Sequence, residues 1–427
     1  MRKFLWEAAG VGITLALALQ GCGGRVDQVN VGSEQGPRDL AGSGKQLAGP
    51  TGTAGPQVGQ VATPMPACPM TRTDASGFNE GVGTYSSDGS LLVTITDLHS
   101  PPLEVFRVAD NTVMSAFEIP PSDTYHKAAI SPDNSMVAAS GGRDLETTDA
   151  MVVYRVADGS LLADLQVSEA LSSSWAPAPA PRFVSPDFSH DGRLLVTAGG
   201  IDGGVDIWSV PDFHRVRRLS LDWATSVRFS PDDTRLVAVG SWPPPPGPPR
   251  SAETITVWNV ADGALLWSQP LNTYGGTYPG PSPAAGAPGG TGDAMFSPNG
   301  TEVVSAGMLG NTATSVWNAT TGALIQELSQ SDPPAGSGSL SFYDDDHILI
   351  GDDLRGARIW TRGATGLFAP SCFLASEGSA NGRNTETTLP PGGPYPGGAG
   401  PAVVAASRGG QHVYLVGRGV WIYEQAQ

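Results

Sequence analysis

The chain alternates short apolar runs with turn residues, and the stretch of residues 187–219 shows one complete unit. The turn Ser189-His190-Asp191-Gly192 precedes an apolar run at 194–196, and a Gly-rich turn precedes a second run that ends in Trp208. β-branched and apolar runs of this length between tight turns predict an antiparallel meander. Further copies of the unit lie on both sides of it, so the sequence predicts a repeat protein.

The turn element recurs along the chain. Its copies are Ser87-Asp88-Gly89, Ser131-Pro132-Asp133-Asn134, Ser189-His190-Asp191-Gly192, Ser230-Pro231-Asp232-Asp233 and Ser297-Pro298-Asn299-Gly300, with weaker ones at 343–346 and 407–410. Pro sets the first turn dihedral, and Gly, Asn or Asp tolerates the left-handed one, so each copy predicts a tight link between two strands. An apolar run follows every copy, which predicts a second strand covered on both faces.

Each unit also places an aromatic residue near the end of its third predicted strand. These residues are Phe106, Tyr154, Trp208, Trp258, Trp317, Trp360 and Tyr423, and they lie 43 to 63 residues apart. Four short strands per unit at this period predict an all-β fold, a seven-bladed β-propeller of four-stranded antiparallel blades.

On these turns and strand-end tryptophans, residues 78–427 resemble the WD40 family. The residue after the aromatic is Ser209, Asn259, Asn318 or Thr361, where the family often has Asp, and no unit carries the family's Gly-His pair. The resemblance therefore implies a divergent WD40-like propeller in which the internal hydrogen-bond network of the family is incomplete.

The seventh unit stops just after its third strand, at Tyr423. A missing outer strand would leave an open sheet edge, which invites aggregation. We expect the N-terminal segment 58–78 to supply that strand and to close the ring.

The N-terminus has the features of an export signal. Arg2 and Lys3 precede an apolar run at 8–19, which is too short to span a bilayer. Leu19-Gln20-Gly21-Cys22 resembles a bacterial lipobox, which implies a signal peptide over 1–21, acylation of Cys22 and a lipid anchor in the cell envelope. By the same resemblance, Gly23 favours the outer membrane. The alternative is an ordinary signal with a chance cysteine.

Residues 22–60 are rich in Gly, Ser, Pro and Gln and have no apolar period. Such a segment cannot bury enough apolar surface to offset its ordering entropy, so it predicts a flexible tether ahead of a propeller over 61–427. Cys68 and Cys372 are the two other cysteines. In an exported protein an even pair predicts a disulfide, here one that fastens the ring closure; two buried free thiols are the alternative.

Composition narrows the classes of function. The 427 residues include 56 Gly and 37 Pro, and their formal net charge is -17. Turn-rich composition argues against long helices. The negative charge argues against a nucleic-acid partner, which would need a basic face to displace counterions.

Four long insertions provide the candidate binding surface. They span 168–182, 241–253, 269–292 and 375–401, and they carry Trp175, Trp242, Tyr274, Tyr278 and Tyr395. In an up-and-down blade these connections all emerge at one end of the disc, so one end is elaborated and the other smooth. Aromatic residues among prolines on that end predict binding of a protein or glycan. The alternative is that the insertions are low-complexity segments without function.

Catalytic signals are weak. The six histidines (His99, His126, His190, His214, His347 and His412) lack metal-ligand spacing, and Asp344-Asp345-Asp346-His347 lacks the alternation and Gly of a calcium loop. No nucleotide-binding, dinucleotide-binding or serine-hydrolase motif occurs. We therefore expect a non-enzymatic binding scaffold without cofactor or metal. The alternatives are a hydrolase or quinone-dependent dehydrogenase with a site in the central channel, and a structural assembly lipoprotein.

Overall fold

The structure is a computed structural model. It describes residues 66–74, 82–95, 103–110, 112–117, 127–142, 149–166, 184–199, 204–241, 253–271, 292–306, 314–328, 339–352, 356–375, 403–407, 411–416 and 420–425. The described residues form 28 strands in seven four-stranded antiparallel sheets. This arrangement is a seven-bladed β-propeller, and the predicted fold is confirmed.

The strands follow one another blade by blade along the chain. Blade 1 contains β2 (Val82–Tyr85), β3 (Leu91–Ile95), β4 (Leu103–Arg107) and β5 (Thr112–Phe117). Blade 2 contains β6 (Ala128–Ile130), β7 (Met136–Gly142), β8 (Asp149–Arg155) and β9 (Leu161–Gln166). Blade 3 contains β10 (Val184–Phe188), β11 (Leu194–Gly199), β12 (Val205–Ser209) and β13 (Arg215–Leu219). Blade 4 contains β14 (Asp222–Phe229), β15 (Arg235–Ser241), β16 (Glu253–Asn259) and β17 (Leu265–Pro270).

The remaining three blades complete the ring. Blade 5 contains β18 (Asp293–Phe296), β19 (Glu302–Ala306), β20 (Thr314–Asn318) and β21 (Leu324–Leu328). Blade 6 contains β22 (Leu340–Asp344), β23 (His347–Asp352), β24 (Gly356–Arg362) and β25 (Phe368–Ala375). Blade 7 contains β26 (Val403–Ala406), β27 (His412–Val416), β28 (Val420–Gln425) and, on its outer side, β1 (Met70–Asp74). The first strands of neighbouring blades contact one another and surround the central channel.

The hydrophobic core lies between the blades, with one cluster of buried residues at each of the seven blade interfaces. Every strand-end aromatic is buried in the cluster that its blade shares with the preceding blade. For example, Trp258 of blade 4 packs with residues of blade 3, and Phe106 of blade 1 packs with residues of blade 7. Because an aromatic side chain buries about 150–250 Å², these residues hold neighbouring blades together.

A serine hydroxyl organises the turn between the first and second strands. In blade 1, Ser86 Oγ donates to Asp88 at 2.6 Å and accepts the backbone N–H of Leu91 at 2.9 Å. Blades 2 to 5 repeat the pattern, and left-handed backbone follows the acidic or amide residue, as at Asn134 (φ 60°) and Asp233 (φ 58°). The predicted tight turns are thus fixed by side-chain as well as backbone hydrogen bonds.

The outer strand of blades 1 to 6 carries a β-bulge at one constant position. The pairing of the third with the fourth strand shifts just before the strand-end aromatic, as between Ile207 and Trp208. A bulge disrupts the regular row of backbone donors and acceptors on an edge strand. The bulges therefore protect six open edges against pairing with other chains.

The N-terminal strand closes the ring as the sequence predicts. β1 pairs antiparallel with β28, from Met70 opposite Gln425 to Asp74 opposite Trp421. Just ahead of it, Cys68 forms a disulfide with Cys372 of β25, and 304 residues separate the two cysteines. The predicted ring closure by an N-terminal strand and the predicted disulfide are both confirmed. We name the segment from Cys68 to Asp74 the clasp. Closing so long a loop stabilises the fold by about 5–6 kcal/mol in the chain-entropy model.

Candidate functional site: the channel and the elaborated end

The antiparallel order of each blade fixes which connections share an end of the disc. First strands begin, and second strands end, at what we name the elaborated end; the serine turns lie at the opposite, smooth end. The strands that flank the four insertions begin or end at the elaborated end. The predicted binding residues Trp175, Trp242, Tyr274, Tyr278 and Tyr395 all lie outside the described residues, as does Cys22.

At the elaborated end, an ion pair crosses the central channel. Lys127 immediately precedes β6 of blade 2, and its Nζ lies 3.3 Å from Oδ1 of Asp293, the first residue of blade 5. Three blade steps separate blades 2 and 5 in a ring of seven, so the pair joins opposite walls of the channel. Both residues are buried, with 8% and 6% of their surface exposed.

Neighbouring polar groups complete this cluster. Ser226 Oγ of blade 4 donates to Asp293 Oδ1 at 2.5 Å. Burial alone raises the pKa of Asp293, but the charges of Lys127 and Arg228 and the Ser226 hydroxyl bring it below its ordinary value. Burial lowers the pKa of Lys127, and the attraction of Asp293 opposes that change only in part. The carboxylate is therefore held ionised beside a partly desolvated ammonium group.

Side chains in the channel also accept hydrogen bonds from backbone N–H groups on the inner edges of the first strands. Phe229 N–H donates to Asp187 of the preceding blade at 2.8 Å, and Ala294 N–H donates to Ser226 at 3.4 Å. In the next two blades, Phe342 N–H donates to the sulfur of Met295, and Val404 N–H donates to Ser339. Unpaired backbone groups on a buried edge are costly, so these four contacts stabilise the interfaces from blade 3 to blade 7.

Asp187 and Arg228 form a second layer of this cluster. Burial raises the pKa of Asp187, and the Arg228 guanidinium and the Phe229 N–H oppose that shift. Arg228 Nη1 donates to Ser185 Oγ at 3.2 Å and to the Pro186 carbonyl at 3.3 Å. Asp187 and Arg228 thus both make contacts that join blade 3 to blade 4.

The channel cluster was not predicted from the sequence, although its residues occupy matching positions in their units. Lys127, Ser185, Ser226, Asp293 and Ser339 each lie four residues before the turn residue of their own unit. Asp187, Arg228 and Met295 each lie two residues before it. An alignment of the units on this turn residue places charged residues in first strands that are otherwise largely apolar. It does not show which of these charged residues pair.

The acidic run at 344–347 lies in the blade 6 turn. His347 Nδ1 contacts Asp344 Oδ1 at 2.8 Å, and the other two carboxylates contact the Arg362 guanidinium and the Asn299 N–H. Within the described residues, no group of three or more His, Cys, Asp or Glu side chains has the arrangement of a metal site. The run therefore makes contacts within blade 6 and to blade 5.

A shallow cleft of about 520 Å³ lies at the smooth end, between blades 7, 1 and 2. Its walls combine Asp88, Arg107, Met114, Asn134 and His412.

No family model matches this chain, and none of the curated proteins matches it either. Among the described residues, no helix is long and apolar enough to cross a membrane.

Proposed function

We propose that this protein is a lipid-anchored, WD40-like propeller lipoprotein of the cell envelope, most consistent with the outer membrane, and that it binds a protein or glycan at its elaborated end without catalysing a reaction. The single observation that carries the binding role is the placement of the insertions. Strand order gathers their flanking strands at one end of a rigid, closed disc, which is the arrangement of binding loops on a scaffold.

The disulfide supports an exported protein. Disulfides form and persist in oxidising compartments, and Cys68–Cys372 joins segments 304 residues apart. The strand-end tryptophans that carry the resemblance to WD40 repeats are buried at blade interfaces, as Trp258 and Trp317 show.

The channel contacts support a binding role over a channel-sited enzyme. Asp293 is buried and Asp187 is half-buried, and both carboxylates accept hydrogen bonds that join blades. A general base or nucleophile must instead be available to a substrate.

Replacement of Trp175 and Trp242 with Ala tests the proposed binding end. We expect the double variant to lose partner capture from cell envelopes after crosslinking, because tryptophan is enriched among the few residues that dominate binding energy at interfaces. The matched control replaces Leu265 and Leu266, which are 49% and 46% exposed on the outer strand of blade 4. Unchanged capture by the tryptophan variant, or equal loss in the control, would contradict the proposal.

A further inference from the structure

Along the N-terminal segment, the disulfide at Cys68 comes before strand β1, so the two have different mechanical roles. Cys68 comes two residues before Met70, the first residue of β1. Any pull that reaches the fold through the N-terminal chain therefore arrives at Cys68 before it arrives at the strand that closes blade 7.

Without the disulfide, such a pull would act directly on the β1–β28 pair, in a direction that breaks its hydrogen bonds one after another. Met70 lies opposite Gln425, so β1 begins and β28 ends at the same end of their strand pair. Tension between the two chain ends separates an antiparallel pair at this end one residue pair at a time, and β1 has only five such pairs. Ahead of β1, Cys68 N–H donates to the Phe373 carbonyl at 3.1 Å and Phe373 N–H donates to the Pro66 carbonyl at 3.0 Å.

With the disulfide, the pull passes into a more firmly held strand. β25 pairs with β24 at seven positions, from Gly356 opposite Ala375 to Arg362 opposite Phe368. Cys68 and Cys372 are each 9% exposed and belong to the cluster of buried residues that joins blades 6 and 7.

We propose that the Cys68–Cys372 bond is a mechanical staple: it transfers tension on the N-terminal tether to blade 6, so that β1 stays paired and the ring stays closed. Reduction of the bond converts the same clasp into one that opens under tension and exposes β28 together with buried Tyr423. This inference rests on the proposed function only for the source of the tension, which is the membrane anchor.

Single-molecule pulling on the full mature chain, held at its two termini in optical tweezers, tests the staple. We expect the reduced protein, and the Cys68→Ser/Cys372→Ser variant, to show a first low-force step as residues 68–74 detach. At about 3.3–3.6 Å per extended residue, this step lengthens the chain by roughly 25 Å. The oxidised protein should lack this step and lengthen only when blades unfold.

The control is Trp317→Phe, which removes the hydrogen bond from Trp317 Nε1 to Ser305 in blade 5. It should lower the force of blade unfolding without producing the first step. If the Cys68→Ser/Cys372→Ser variant does not fold, reduction of the folded wild-type protein provides the same comparison. A first step of equal force in oxidised and reduced protein, or its absence from both, would overturn the staple.

The pulling measurement needs no acyl group, so it is independent of the proposed anchor. Radiolabelled palmitate incorporation into wild type and into Cys22→Ser tests the anchor separately. Labelling in neither, combined with the expected pulling result, would remove the membrane as the source of tension and leave the mechanical role of the bond in place.

Discussion

At the residue scale, the strand-end aromatics show how one hydrogen bond depends on two sequence positions. Trp208 pairs with Leu195 across the blade, and its indole N–H reaches Thr197, two residues further along. The same spacing gives Trp317 its acceptor, Ser305. Both partners are buried, so each bond satisfies a polar group that burial would otherwise penalise.

Three blades have only one half of this pair. In blade 4, Trp258 has Ala238 at the acceptor position. Blade 1 has Thr94 at the acceptor position but Phe106 as its aromatic, and Thr94 Oγ1 is buried with no hydrogen-bond partner in the described part of the chain. Blade 6 has Trp360 but Ile350 at the acceptor position, and Trp360 Nε1 likewise finds no acceptor among the described residues.

Thr94→Val and Thr197→Val should therefore change stability in opposite directions. Valine has nearly the same shape as threonine, so Thr94→Val removes a buried, unbonded hydroxyl and should stabilise the fold by about 1 kcal/mol. Thr197→Val leaves the Trp208 indole without its acceptor and should destabilise it by about 1–3 kcal/mol. Urea unfolding of the two variants measures the difference, and equal shifts would contradict the argument.

At the element scale, the turn between the third and fourth strands determines how closely neighbouring blades approach. Gly322 of blade 5 has φ +69°, and a Cβ placed there would lie 2.7 Å from the Trp267 ring of blade 4. Gly366 of blade 6 has φ +81°, but nothing lies within 4 Å of its Cβ position. Gly322 is therefore needed both for its left-handed backbone and for the close approach of the Trp267 ring. Gly366 is needed only for its left-handed backbone.

Gly322→Ala and Gly366→Ala separate those requirements. Both variants place alanine in left-handed backbone, at a cost of about 1–2 kcal/mol. Gly322→Ala also overpacks the contact with Trp267, which adds about 1–3 kcal/mol. Thermal unfolding should therefore rank Gly322→Ala below Gly366→Ala, and equal melting temperatures would show that Trp267 yields without cost.

The serine turns also predict acid sensitivity. Burial raises the pKa of Asp88, but hydrogen bonds from Ser86, Ser90 and Asn134 outweigh it and lower the pKa to about 2. A lowered carboxylate pKa stabilises the fold fully above the ordinary value near 4 and loses that contribution as the pH falls toward 2. The contribution of Asp88 to the urea midpoint should thus be steady above about pH 4 and fall below it.

Asp88→Asn should flatten part of that dependence, because the amide oxygen accepts the hydrogen bonds from Ser86 and Ser90 without titrating. Only the bond from Asn134 to the second carboxylate oxygen is lost. Blade 5 provides the precedent: Asn299 Oδ1 accepts from Ser297 at 2.9 Å and from the Thr301 N–H at 2.9 Å. Urea midpoints of wild type and variant at pH 7 and pH 3 measure the change. Identical pH dependence in the two proteins would mean that Asp88 does not contribute.

At the scale of the whole molecule, the ring brings together residues that no local rule connects. Lys127 and Asp293 are 166 residues apart and belong to blades with no shared interface. The seven-fold closure places them on opposite walls of one channel, so this ion pair depends on every blade between them.

A double-mutant cycle tests that dependence. Lys127→Met should destabilise the fold by about 3–5 kcal/mol, because it leaves the Asp293 carboxylate buried without its partner. Adding Asp293→Leu should recover a large part of this loss. Arg155→Met is the control, since the Arg155–Asp158 pair is about half exposed, and its removal should cost at most about 1 kcal/mol. Additive effects of the first two substitutions would exclude a coupled pair.

The sequence by itself determined the blade count, the turns and the donor of the last outer strand. These follow from local chemistry: apolar alternation, turn residues tolerant of left-handed backbone, and one aromatic for each interface, as Trp258 and Tyr423 illustrate. The disulfide followed once the clasp was placed, because Cys68 and Cys372 then lay on neighbouring blades.

Only the tertiary structure decided which channel residues meet, which Trp or Thr lacks its partner, and that Cys68 precedes the strand it protects from tension. A repeat pattern specifies each blade and its neighbours, but contacts across the ring depend on how seven blades close. That closure is a property of the whole chain, and no window of sequence contains it.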